Sequence, residues 1–194
     1  MKSLAIFYFY QEIAEQCMFA KMAKIDLKTC RTTDTHGLNR DYYFLQSLLT
    51  ALGNLSKILW PVMKRNDGKG NELRRARGNE LRTALSVKDN SALKNRDLRN
   101  LFEHFDERMD EWFEAADSRG FSDRNVGSME GVIVPSVIER LRTFVPETWT
   151  LIFGEKEFKL YPAIEAVNEL YEAVQSKIGQ PGKRIKRLPG EVAG

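Results

Sequence analysis

The chain has 194 residues, 42% hydrophobic and 29% charged, with 30 Lys and Arg against 27 Asp and Glu for a net charge of +3. That length and balance fit one folded domain with at most a small appendage, and exclude a disordered chain and a binder that coats nucleic acid by bulk charge. Two cysteines, Cys17 and Cys30, and two histidines, His36 and His104, are too few and too unsuitably spaced for a disulfide framework, a zinc ribbon or a histidine-rich metal site within one chain.

From the N-terminus, residues 4–24 predict a strongly apolar helix. Its opening run Leu4–Tyr10 passes into Gln11, Glu12 and Glu15 without a small-residue cleavage site, so a secretory leader is not expected. No run approaches the roughly 20 apolar residues that cross a bilayer, and free thiols fit a reducing cytoplasm. A polar loop is expected from Thr29 to Gly37, then a helix from Asn39 to Trp60 stopped by Pro61. Leu45, Leu48, Leu49, Leu52, Leu55 and Leu59 recur at helical spacing and mark its buried face. A turn at residues 64–70 leads into a basic helix over 71–86.

The fourth helix, Asn95 to Ala116, places Leu98, Leu101, Phe102, Phe105, Met109, Trp112 and Phe113 on one stripe, with its aromatic residues assigned to the core. Residues 117–131 read as a connection. Beyond them, Leu141–Val145, Trp149–Phe153 and Glu157–Leu160 carry strand composition, with Gly154-Glu155-Lys156 as a hairpin turn. Pro162 opens a last helix whose apolar face is Ile164, Val167, Leu170, Tyr171 and Val174. The pattern predicts a mainly α protein: an antiparallel four-helix bundle over residues 1–117, a hairpin-plus-helix extension over 118–178 packed on it, and a flexible basic tail over 179–194.

One constellation stands out on the fourth helix, Arg99-Asn100 followed by His104. An arginine followed by a histidine after four to six intervening residues is expected by chance roughly 0.5 times in this chain, and Arg31 to His36 supplies such a decoy in a Thr-rich loop. Requiring Asn after the arginine lowers that expectation to about 0.03.

With these residues the chain resembles the HEPN superfamily of helical-bundle proteins, in an uncharacterised bacterial branch. The carriers are Arg99-Asn100 and His104, the Leu45–Lys57 stretch of the second helix, and Phe105-Asp106-Glu107-Arg108. The resemblance covers residues 1–117. It implies a HEPN-like bundle and metal-independent cleavage of RNA to 2′,3′-cyclic phosphate ends, without a cofactor, at a site shared by two subunits. It also implies a toxin or defence component with a cognate antitoxin. In that reading His104 moves the proton of the RNA 2′-hydroxyl or of the leaving oxygen, Arg99 holds the scissile phosphate, and Asn100 orients one or the other. Toxin members often carry tyrosine two places after the histidine, where this chain has Asp106.

Ideal helix geometry separates Arg99 from His104 by about 140° around the axis, so function through this motif predicts a homodimer. Residues 103–117 carry seven acidic residues against Arg108, net −6, whereas residues 64–88 carry eight basic against three acidic, net +5. RNA is therefore expected over Arg74, Arg75, Arg77 and Arg82. Gln46, Thr50, Asn54 and Lys57 form a polar line on the second helix. Asn54 and Lys57 are the stronger RNA-binding candidates because Gly53 beside them permits close helix approach. The plainer alternatives are a surface His104 beside Glu107, Arg99 paired with Glu103, and basic and acidic helices that neutralise each other. Two other functions stay open: a non-catalytic RNA- or protein-binding dimeric module, and a purely structural dimer.

Overall fold

A computed structural model describes residues 3–29, 35–95, 97, 100, 104–115, 120–127, 138–154 and 156–179. Among these the protein is mainly helical, with a small sheet towards the C-terminus. Helix α1 spans Ser3–Thr29 and α2 spans Thr35–Leu59, so Thr35, His36 and Gly37 already belong to α2 rather than to the expected loop. Helix α3 is Gly68–Ala84, and a 3-10 turn covers Ala92–Lys94. Helix α4 is Phe105–Ala115 and α5 is Tyr161–Ile178. No described helix is long and apolar enough to cross a membrane.

The leucine face of α2 is buried as its spacing requires, with Leu45, Leu48, Leu55 and Leu59 fully enclosed. The helix stops before Pro61, which lacks an N–H and disfavours helical geometry at the residue before it. Helix α1 packs along both α2 and α5. Its Ala20 and Ala23, both buried, let the neighbouring backbones come close, and Ile13, Cys17 and Leu27 complete the contact face.

Helix α3 starts at a capped turn in which the Asp67 side chain accepts the Gly70 N–H at 3.1 Å and pairs with Arg74 at 2.8 Å. It docks through Leu81 and Gly78, both buried. A Cβ at Gly78 would lie 2.8 Å from the Leu59 carbonyl oxygen and 2.8 Å from Pro61 Cδ. Neither neighbour is a flexible side-chain end, so Gly78→Ala is expected to cost about 1–3 kcal/mol by overpacking. Urea unfolding of the two proteins measures it directly.

The described strands are β1 (Gly120–Ser122), β2 (Asn125–Val126), β3 (Ile138–Arg140), β4 (Arg142–Val145), β5 (Thr150–Phe153) and β6 (Lys156–Lys159). Strands β1 and β3 pair in parallel, while β2, β4, β5 and β6 form a four-stranded sheet in that order. The expected β5–β6 hairpin is present, pairing Phe153 with Lys156 and Leu151 with Phe158, and Gly154 takes the positive φ of +55° that its turn needs. Strands β1 and β2 fall in the segment read as a connection. They are three and two residues long, too short to show an alternation.

Two cores result. The larger joins α1, α2 and α5 with Leu81, Leu93, Phe144 and Leu151. The smaller, Leu141 and Phe153, receives Phe105 and Met109 of α4. Helix α5, which the sequence reading placed in the extension, is thus a principal partner of α1. Phe113, assigned to the core, is instead 47% exposed, because the small core takes in Phe105 and Met109 from the start of α4 and does not reach as far along the helix as Phe113. Leu98, Leu101 and Phe102, together with the Trp112 side chain, lie outside the described residues.

Candidate functional site

His104 is the residue immediately before α4. Its backbone N–H donates to the Asn100 carbonyl at 3.0 Å, placing the two one helical turn apart. The imidazole is exposed, with Nδ1 3.2 Å from Glu107 Oε1. An ionised carboxylate only accepts, so Nδ1 carries the proton towards Glu107 and Nε2 is left as the basic nitrogen. This pair is the one that the plainer sequence reading anticipated. It also favours the tautomer that leaves Nε2 unprotonated.

Asp97, Asn100, His104 and Glu107 form one wall of a groove of about 520 Å³, and Lys156, Glu157 and Phe158 of β6 form the other. Sequence reasoning missed the β6 wall, because nothing in the local pattern ties the hairpin to the helix. The tie is Phe105, whose ring meets Phe153 edge-on at 6.3 Å. The Arg142 guanidinium lies 3.9 Å from the centre of the Phe105 ring. Arg142 is in turn held by both oxygens of Asp123, with Nε 2.7 Å from Oδ1 and Nη2 on Oδ2. A planar fork fixed in this way suits the flat face of an aromatic ring.

Burial raises the Asp123 pKa, but the Arg142 hydrogen bond and charge outweigh it and hold the carboxyl below its ordinary value. The folded protein therefore binds this proton less readily than the unfolded chain does. The resulting stabilisation is present in full above the unfolded value of about 3.9 and is lost as pH falls through the folded one. Asp123→Asn is expected to lower stability near neutrality and to flatten the acid fall of the unfolding midpoint. Equal acid slopes for the two proteins would deny the pair that role.

The other predicted residues do not join this groove. Asn54 is half-buried and donates to Gln16 Oε1 at 3.1 Å, while Gln16 donates to Glu12 at 2.9 Å. With Gln46 and Thr50, Asn54 lines a separate groove of about 650 Å³ between α1 and α2, walled by Phe19, Met22 and Tyr43. Lys57 is half-buried on the same helix.

Most of the α3 arginines are engaged close to α3 itself. Arg74 binds Asp67 and Asn71, and Arg77 lies over the Phe9 ring of α1 at 4.7 Å. Burial, then the charge of Arg74, lowers the Arg77 pKa. Arg82 donates to the Leu59 carbonyl at 2.5 Å, satisfying the end of α2. Arg75 is exposed. Arg99 lies outside the described residues, as does Cys30. Cys17 is a buried free thiol whose pKa burial pushes up to about 12, against the opposing charge of Lys21, which leaves it unreactive. Among the described residues, no group of three or more His, Cys, Asp or Glu side chains is arranged to hold a metal ion.

Comparison with protein-family models, with curated proteins and with solved structures finds no match to this chain.

Proposed function

We propose that the chain is a HEPN-type antiparallel helical-bundle protein acting as a metal-independent endoribonuclease, a toxin or defence component whose activity a cognate antitoxin restrains. The observation that carries this reading is the convergence of Asn100, His104 and Lys156 on one groove, with Glu107 on the imidazole Nδ1. In the reaction, Nε2 of His104 removes the 2′-hydroxyl proton and the 2′-oxygen attacks phosphorus. The bond from phosphorus to the 5′-oxygen breaks, and that oxygen takes a proton from water as it leaves. Glu107 orients the ring and balances the imidazolium, and Lys156 supplies positive charge near the phosphate. Arg99, the partner that the motif assigns to His104, completes the site from a second copy, and the active species is a homodimer.

A non-catalytic RNA- or protein-binding dimer is the second reading. It is favoured by the three carboxylates of the groove, Asp97, Glu107 and Glu157, and by Asp106 in place of tyrosine. Incubation of the full-length protein with labelled single-stranded RNA in EDTA separates the two. Cleavage is expected; bound but intact RNA would favour the module.

A further inference from the structure

The His104 groove has a neighbouring cavity at β6. Glu157 and Phe158, which form part of its far wall, also line a smaller cavity of about 260 Å³, together with Leu52 and Gly53 of α2, Leu93, Asn95 and Pro162. Leu52 and Leu93 are buried and give the cavity apolar walls, and Gly53 lines it beside them. Phe158 presents a half-buried aromatic ring between the two spaces. Among the described lining residues the polar side chains are Asn95, Glu157 and Lys159. Asn95 Oδ1 accepts the Asp97 N–H at 2.8 Å, which leaves its amide NH₂ to donate elsewhere. Glu157 is exposed and lines both spaces, with Lys156 lining the groove and Lys159 lining the cavity.

From this shared wall we infer that the smaller cavity is a nucleobase subsite, receiving the base next to the phosphate that the groove holds. The inference rests on the RNA reading of the groove. Its volume lies below the roughly 300–1,000 Å³ of sites that enclose a whole small molecule, which fits one planar ring system. Apolar walls with an aromatic ring and a few edge-reading polar groups are the means by which proteins hold unstacked RNA bases. The lysines of β6 match the phosphates on either side. Glu157 is an acceptor without a donor, so it favours a base bearing an amino group over uracil.

Titration of the full-length protein with CMP, UMP and ribose 5-phosphate tests this, with affinity read by calorimetry and location by the amide resonances of Gly53 and Leu93. CMP and UMP differ by an amino group against a carbonyl at one ring position. CMP is expected to bind about tenfold more tightly than UMP, to exceed ribose 5-phosphate by more, and to shift both amides. Glu157→Gln should bring CMP and UMP together. Ala92→Leu, which enlarges a side chain on the cavity wall, should weaken CMP while leaving ribose 5-phosphate unchanged. Equal binding of CMP and ribose 5-phosphate, or unmoved Gly53 and Leu93 amides, would overturn the subsite. CMP seated in the cavity of a protein that leaves RNA intact would keep the subsite and overturn only the ribonuclease. RNA cleavage with no response to Ala92→Leu would do the reverse.

Discussion

His104→Ala is expected to slow RNA cleavage by about 10²- to 10⁴-fold, the usual worth of a positioned general acid or base, while leaving RNA binding and the unfolding midpoint close to wild type. The separation follows from the geometry. His104 is exposed, and its ring makes a solvent-accessible contact with Glu107, so its removal opens no cavity. Glu107→Gln should have a smaller effect, because the amide still accepts from Nδ1 but no longer balances an imidazolium. Arg99→Ala should be as inactive as His104→Ala if each site draws Arg99 from one copy and His104 from the other. Mixing and refolding the two inactive proteins together should then restore part of the activity, because each hybrid dimer regenerates one intact site. A mixture as inactive as its components would remove the shared site.

Leu170→Ala is expected to cost about 2–5 kcal/mol and to lower the midpoint of thermal unfolding by roughly 5–15 °C. Leu170 is 2% exposed and sits in the core that α5 shares with α1 and α2. Truncation there leaves a cavity between helices, and the surrounding core relaxes only in part. The variant is expected to unfold in one transition, like the wild type. An early separate transition would mean that the C-terminal helix is an appendage. Phe113→Ala, at 47% exposure, should change stability by less than about 1 kcal/mol, despite removing a larger side chain.

These two predictions mark what the sequence could and could not show. The leucine face of α2 and the apolar face of α5 were legible, because helical spacing names a buried face without naming its partner. Helix α1 hid its contacts: it is apolar on nearly every side, so no periodicity marks which residues meet α2 and which meet α5. The hairpin was legible through its turn and its β-branched and aromatic residues, but β1 and β2 were too short to show a pattern. His104 and Asn100 were found from a motif, and the structure places both on one groove. The β6 wall could not be found, since it depends on Phe105 meeting Phe153 and Arg142 across the fold. Charge counting overstated α3 as a free basic surface. A net charge of +5 does not distinguish Arg75, which faces solvent, from Arg82, which closes the end of α2.

The most direct measurement is the chemistry of the ends left on a synthetic RNA by the full-length protein in the presence of a chelator. The account predicts 2′,3′-cyclic phosphate and 5′-hydroxyl ends, and no cut when the nucleotide bearing the attacking oxygen is replaced by its 2′-deoxy form. Ends carrying a 5′-phosphate, equal cleavage of the deoxy-substituted strand, or RNA left intact by protein that binds it would contradict the account.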